Sequence, residues 1–388
     1  MDVTGDGDVY PTDPNFSSVT DESLYRLNGS GYLRGTWAYS VNDATSNAYS
    51  SNNSFQYSQG NTHFDEANLY WHIDQFRANF INTLDNGNLT LGQIEAHAHA
   101  TIPGYGDLNA RFCRDCSPKQ LDFGDASSSS SYNDYAKDDK VIYHEYSHAV
   151  IYHINSGIES TINEEGGISE GTPDYFAGAY TPSRTIIGDY CCAGTSAERD
   201  MANPYYTNYS SLPRDQYGNV NVDPHESGEF FSSILWDVHN NISTSRANFL
   251  VYDALFRITS SPTFLDFRDA MMASDDANYS GADDNKIQDA SYFKGIGTYS
   301  LKANNISGQA LVREGFSYTW HGSASGGETP YSITWYKRAT SGSTWLGVGS
   351  GTSYSETISS RSSFQLRTCV TDNKNVTACS NTFQVTVH

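Results

Sequence analysis

His144-Glu145-Tyr146-Ser147-His148 sets two imidazoles four residues apart, with a carboxylate directly after the first. On an α-helix, positions i and i+4 share a face. Two imidazoles so placed can grip one Zn²⁺ at about 2.0–2.1 Å. Glu145 then projects beside the metal, where a carboxylate can take a proton from an activated water. A catalytic zinc needs a third protein ligand and leaves one position open. Downstream runs Glu164-Glu165-Gly166-Gly167-Ile168-Ser169-Glu170-Gly171-Thr172-Pro173-Asp174. Glu170 is the expected third ligand. Asp174, one helical turn further on the same face, can accept the second ring N–H of a ligating histidine and fix its tautomer. Glu164 and Glu165 are rival ligands, read here as solvated residues ahead of a Gly-Gly turn. The bland reading of the motif is two surface histidines on a core helix.

HEYSH followed by GGISEGTPDYFAG resembles the thermolysin and fungalysin metallopeptidases, and the resemblance covers about residues 35–300. It implies an α+β, two-lobed peptidase domain, with a strand-bearing N-terminal lobe, a helical C-terminal lobe and the HEYSH helix between them. It also implies one catalytic Zn²⁺, a protein or peptide substrate and cleavage of internal peptide bonds, with Glu145 as general base. Glu198-Arg199-Asp200-Met201-Ala202-Asn203-Pro204 is similar to the family segment whose Arg binds the substrate carbonyl, which assigns that role to Arg199. Asp223-Pro224-His225-Glu226-Ser227-Gly228 is similar to the segment whose His stabilises the oxyanion, which assigns it to His225, with Asp223 to orient the ring. An interior histidine and a structural ion-pair arginine are the competing roles for these two. Asn109-Ala110-Arg111-Phe112 resembles the edge strand that hydrogen-bonds peptide substrates, so Asn109 and Ala110 are expected to hold the substrate backbone.

This sequence departs from the family pattern in three places. Ile154 to Thr161 is longer than the thermolysin equivalent and has no Tyr to serve as an extra oxyanion donor. Around Tyr180 to Cys192 there is no clear counterpart of the acidic cluster that binds paired calcium ions. Glu198 stands where thermolysin has an apolar pocket residue, which suggests weaker selection for Leu or Phe and acceptance of basic side chains. A zinc exopeptidase or amidase, and a non-catalytic adhesion protein with a structural zinc, are the rival functions; cleavage of internal bonds and an open metal position separate them.

The elements that must position these residues are read from pattern. The 388 residues are too many for one ordinary domain. Residues 1–34 look extended or loop-like. There Asp2-Val3-Thr4-Gly5-Asp6-Gly7-Asp8 spaces oxygen ligands as calcium loops do but lacks the complete loop pattern and a closing Glu, so a solvated acidic terminus is the favoured reading. Residues 35–302 form the peptidase domain. Within it, 35–58 reads as short strands and loops, and His63 to Leu84 as a helix. Residues 92–102 read as a strand with His97 and His99 on one face, and Ser127 to Ser131 as a flexible loop. Further helices are expected over Phe230–Asn240, Ala247–Ile258 and Thr263–Ala273. Ser274 to Asn285 reads as an acidic loop, a second place for Ca²⁺. Residues 303–388 alternate as short strands around Trp335 and look like the Ig-like or PKD-like β-sandwich modules appended to secreted hydrolases. Such a module either binds a polymer or surface, or spaces and stabilises the enzyme.

Composition narrows the partners. A net charge of −22, with only 23 Lys and Arg, argues against nucleic acid and anionic membranes. No stretch approaches the ~20 apolar residues of a membrane span, so no membrane insertion is expected. The polar, lysine-poor texture suits a secreted, extracellular monomer. A signal and any propeptide would then be absent from this chain, and Met1 foreign to the mature protein. The six cysteines fall into three local pairs, which favours disulfides. Cys369 and Cys379 suit neighbouring strands. Cys113 and Cys116 can pair within their loop or across to Cys191 and Cys192.

Overall fold

Two units divide the chain at Ile296/Gly297, earlier than the boundary expected at 302. In this computed structural model the described residues are 2–388, excepting 128, 130, 159–161, 298–300, 328–329, 343 and 374. Parts of the expected Ser127–Ser131 loop and of the Ile154–Thr161 stretch therefore lie outside them.

The first unit mixes helices and strands. β1 (Val3–Val9), β2 (Thr20–Leu27) and β4 (Ser54–Phe55) form a sheet in the order β2-β1-β4. Val3–Val9 and Thr20–Leu27 are therefore paired strands and not loop. Gly5 and Gly7 are there for close approach: a Cβ on Gly5 would meet the Asn53 carbonyl oxygen at 2.2 Å, and one on Gly7 the Leu24 Cδ1 at 2.9 Å. A second sheet, ordered β3-β5-β7-β6, is built from β3 (Ala38–Asn42), β5 (Ile94–Ala98), β6 (Ala110–Cys113) and β7 (Gln120–Phe123). β3, β5 and β7 run parallel, and β6 closes the edge antiparallel to β7. His99 falls beyond β5 with φ +61° and turns to Asp125 and the Thr62 carbonyl, so it does not share a strand face with His97.

Helix α1 (Thr62–Phe76) continues through a π-helical turn (Arg77–Ile81) into the short α2 (Asn82–Leu84). α3 (Asp139–Ile154) carries HEYSH and α4 (Asn163–Tyr180) carries Glu170 and Asp174. The two-stranded β8 (Ile186–Ile187) and β9 (Arg199–Asp200) lead to α5 (Pro224–Asn241), α6 (Thr244–Ala254), α7 (Phe264–Tyr279) and α8 (Asp284–Phe293). An aromatic core joins α1, α3 and α4: Phe76 stacks on Tyr143 at 4.7 Å, Tyr143 meets Tyr180 at 5.0 Å, and Phe80 meets Phe176 at 5.8 Å. α3 is buried on all sides from Asp139 to Ile151, as an apolar, centrally placed helix must be.

Two sequence expectations change here. Most of Ser274–Asn285 belongs to α7 and α8, where Asp275 accepts from the Asp283 N–H and Asp283 pairs with Arg246. Near Tyr180–Cys192 the buried carboxylates of Asp13 and Asp139 surround Arg184, which pairs with both. Arg184, which also lies 3.6 Å from Asp189, therefore offsets part of this cluster's charge from within the chain.

The second unit is described by strands alone. β10 (Lys302–Ala303) pairs with β13 (Ala324–Ser325), and β12 (Ser317–His321) with β16 (Ser353–Thr357). The large sheet runs β11 (Leu311–Val312), β19 (Phe383–Val387), β17 (Phe364–Thr371), β14 (Ser332–Ala339), β15 (Leu346–Ser350), with β18 (Thr377–Cys379) also on β17. Trp320, Trp335, Leu366 and Val385 form its core, all fully buried. The Cys369–Cys379 bridge joins directly opposed residues of β17 and β18. The other bridges are Cys113–Cys116 and the vicinal Cys191–Cys192, so the alternative link between those two pairs does not form.

Candidate active site

Asp138 starts the site. It is fully buried, and one carboxylate oxygen caps α3 by accepting from the Lys140 and Val141 N–H groups at 3.2 Å. The other accepts from Cys191 at 2.9 Å and Tyr190 at 3.2 Å. One side chain thus fixes the N-terminus of the HEYSH helix and the loop bearing the vicinal disulfide.

His144, His148 and Glu170 converge, each offering one ligand atom, with all of these within 4.8 Å of one another. The two Nε2 atoms are 3.1 Å apart, and Glu170 Oε2 lies 3.2 Å from that of His144 and 3.4 Å from that of His148. Metal–ligand bonds of about 2.0–2.2 Å in a tetrahedron give ligand separations of about 3.3–3.6 Å, so this triplet fits a zinc ion. Glu170 Oε2 is also buried with no hydrogen-bond partner, an orphan that a cation would satisfy. Among the described residues this is the one such cluster; neither acidic stretch proposed for calcium assembles one.

Close helix packing sets Glu170. A Cβ on Gly228 of α5 would meet the Glu170 Cβ at 2.7 Å, and one on Gly171 would meet the Gly228 carbonyl oxygen at 2.5 Å. Gly166 and Gly167 are helical, not a turn, and Glu164 is not a free surface residue. It accepts from the Tyr209 hydroxyl and, at 2.7 Å, from the Phe264 N–H.

Around the triplet, Asp174 is fully buried and accepts from His144 Nδ1 at 2.7 Å and from Arg199 Nε and Nη2 at 2.8 and 2.7 Å. Burial alone would raise its pKa, but the Arg199 charge and hydrogen bonds, with His144, outweigh that and hold the carboxyl well below the ordinary range. Arg199 also donates through Nη1 to the Ala197 carbonyl at 3.1 Å, yet it still lines the cleft. The ion-pair and cleft-facing roles therefore coexist in one side chain. Glu145 is buried beside His144 and lines the same cleft. Burial raises its pKa more than the neighbouring imidazoles lower it. His225 sits at the start of α5, about half exposed, with Nε2 3.4 Å from Glu170 Oε2 and Nδ1 2.9 Å from Asp223. Asp223 also caps α5 through the His225 N–H.

The cleft measures about 830 Å³ and is floored by β6. Ala110 opposes Phe123, and the Gly124 N–H bonds the Asn109 carbonyl at 3.0 Å. In an antiparallel ladder this parity turns the N–H and C=O of Ala110 and Phe112 away from β7, towards the open edge. Asn109 has its carbonyl committed to β7, so its side chain and the Ala110 backbone face different tasks from those expected of them as a pair. Glu198 does not line the cleft. Its carboxylate accepts from the Gly194 N–H, and Ala197 takes the wall position instead, which removes the basis for a pocket open to basic side chains. Sequence reasoning missed Glu229, whose two oxygens accept from the Asp200 and Tyr205 N–H groups at 2.8 and 3.0 Å and anchor the Arg199 segment. Its signal was available: it lies four residues after His225, on the same face of α5.

The family model of the fungalysin metallopeptidases (M36) matches residues 78–300. No curated protein matches the chain. Two solved structures are similar over a small part. The PKD domain of an M14-like peptidase from a Thermoplasmatales archaeon is 20% identical and covers 23% of this chain and 98% of its own, with a TM-score of 0.18. The CARDB domain of a Pyrococcus furiosus protein, in complex with di-metal ions, is 14% identical and covers 24% and 90%, with a TM-score of 0.17.

Proposed function

Because the chain belongs to the fungalysin metallopeptidase family, we propose that it is a secreted zinc endopeptidase that cleaves internal bonds of proteins. The observation that carries this reading is the convergence of His144, His148 and Glu170 beside a buried carboxylate, Glu145, at the floor of an open cleft. His144, His148 and Glu170 would hold the zinc. When bound, the ion supplies Lewis acidity to the attacking water and to the scissile carbonyl. Glu145 takes the proton of that water and returns it to the leaving amine; its burial supports a pKa raised towards a base's working range. Arg199 and His225 donate to the oxygen on which charge develops, each worth about 3–4 kcal/mol if preorganised. Asp174 positions His144 and Arg199 together, and Asp223 positions His225. The peptide lies along β6, hydrogen-bonded to the outward groups of Ala110, with the Asn109 side chain beside it.

In this reading the two sheets form one lobe and α4 to α8 the other, in the thermolysin manner, with α3 between them. The three disulfides and the acidic surface support an extracellular setting. No helix among the described residues is long and apolar enough to cross a membrane. The strand-only unit would serve as a spacer or a polymer-binding module on a monomeric enzyme.

The test is digestion of a denatured protein by the zinc-loaded wild type and by Glu145→Gln, each with and without a chelator, with product masses mapped. Internal cleavage that chelation stops and that falls at least a thousandfold in Glu145→Gln is expected. Undiminished hydrolysis by Glu145→Gln would remove the base, and release of terminal residues alone would make the enzyme an exopeptidase.

A further inference from the structure

Resting on the peptidase reading, we propose that the cleft continues past Phe112 into a second cavity, which binds an aromatic side chain of the substrate three or four residues from the scissile bond. This cavity measures about 460 Å³, and its walls include Leu91, Ile94, Phe112, Ala149 and Tyr152. Phe112 is the shared wall, lining both this cavity and the catalytic cleft. Its ring lies 5.7 Å from that of Tyr152.

Continuity comes from the sheet edge. Ala110 and Phe112 both point their backbone groups outward, two residues apart, so a strand added beside Ala110 is led on to Phe112. The reach follows from the helix. Tyr152 lies eight residues beyond His144 on α3, about 12 Å at 1.5 Å per residue. An extended peptide covers that in three or four residues at about 3.4 Å each.

The chemistry of the walls selects the occupant. Leu91, Ile94, Pro118 and Ala149 line the cavity with the Phe112 and Tyr152 rings, the polar groups are Gln93, Lys119, His153 and Ser156, and no carboxylate is among them, so a basic side chain finds no counter-charge. Lys119 sits at the rim with its ammonium 5.1 Å from the Tyr152 ring, which repels cations and offers an incoming ring a cation–π contact. Flat rings pack edge-on or offset against such walls.

The experiment compares two pairs of peptides with one cleavable core; within a pair the peptides differ only in Phe or Gly at the third and fourth positions, on the N-terminal side in one pair and on the C-terminal side in the other. Each enzyme reports its own Phe/Gly ratio of kcat/KM, so changes in overall rate cancel. Zinc-loaded wild type is expected to prefer Phe about tenfold on one side, chiefly through KM. Tyr152→Ala is expected to bring the ratio within twofold. Ser156→Trp, an exposed rim position filled by a large ring, is expected to do the same without opening the core. A parallel arm measures binding of fluorescein-labelled Phe and Gly peptides to zinc-loaded Glu145→Gln by anisotropy. If the wild type cleaves nothing, the peptidase reading fails while this arm still judges the cavity. A wild-type ratio under twofold in both arms overturns the proposal, as does a tenfold ratio that both variants retain.

Discussion

Asp174→Asn keeps the shape of one side chain and removes its charge, and the structure fixes what should follow. The carboxylate is fully buried and accepts three charge-assisted hydrogen bonds, from His144 at 2.7 Å and from Arg199 at 2.8 and 2.7 Å. The Arg199 side chain is itself only 12% exposed, so the substitution leaves a guanidinium without its counter-charge. Breaking a buried pair by removing one partner costs about 3–5 kcal/mol. The amide keeps one acceptor oxygen, which places the loss near the lower end. Separately, His144 loses the carboxylate that fixes its tautomer, and metal affinity should fall about 10–100-fold. The pH dependence has a definite sign. A carboxyl held below its unfolded value contributes stability that is fully present above about pH 4 and is lost as the pH falls through the folded value. The carboxylate's own part of the difference should therefore be flat from neutral pH down to about 5 and shrink only in strong acid, while His144, whose pKa Asp174 raises against the opposing effect of burial, adds a part that is complete below about pH 6.5 and fades as the pH rises through its folded value. Urea unfolding followed by the helical dichroism of the first unit, on metal-free protein, reads the stability, and chelator competition reads the zinc affinity. A metal-free loss below 1 kcal/mol, together with zinc affinity within twofold of wild type, would refute the reasoning.

Gly228→Ala should act on the metal through packing alone. The new Cβ falls 2.7 Å from the Glu170 Cβ and 3.0 Å from the Gly171 backbone nitrogen, so α4 must shift; a loss of about 1–3 kcal/mol with weakened zinc binding is expected, and unchanged unfolding midpoint and zinc affinity would contradict it. His72 is buried and neutral, with Nδ1 accepting from the Tyr143 hydroxyl at 2.7 Å and Nε2 donating to the Tyr10 carbonyl at 2.9 Å. Burial lowers its pKa from 6.5 to about 3. A lowered histidine pKa gives stability that is complete above the unfolded value and declines as the pH falls below it, by about 1.4 kcal/mol per pH unit until the folded value is reached. His72→Leu should be less stable at neutral pH, because the Tyr143 hydroxyl loses its partner, but should lack that slope between pH 6.5 and 4; parallel stability curves for the two proteins would rule this out.

What was legible in the sequence was local. HEYSH and the run to Asp174 carry their chemistry in spacings of one helical turn, and those spacings survive in α3 and α4 because both are regular helices. What failed depended on a partner that no local pattern names. Gly5 and Gly7 read as part of a solvated acidic terminus, with a calcium loop as the other option, because nothing near them names Asn53 and Leu24, the groups whose approach they permit. Glu198 read as a pocket residue because its acceptor role towards Gly194 depends on a loop fold, not a pattern.

The triplet itself stands between these cases. Each ligand is placed by a local motif, but Glu170 is held against α5 by two glycines, Gly171 and Gly228, that meet across α4 and α5 where no side chain fits. Gly171 lies beside the ligand in the motif, and Gly228 closes the segment that carries His225. The contact that seats Glu170 therefore also accompanies the approach of His225 Nε2 to 3.4 Å from it. Metal ligation and the imidazole facing it are consequently not independent features of this fold: any change that opens the α4–α5 contact must loosen both at once.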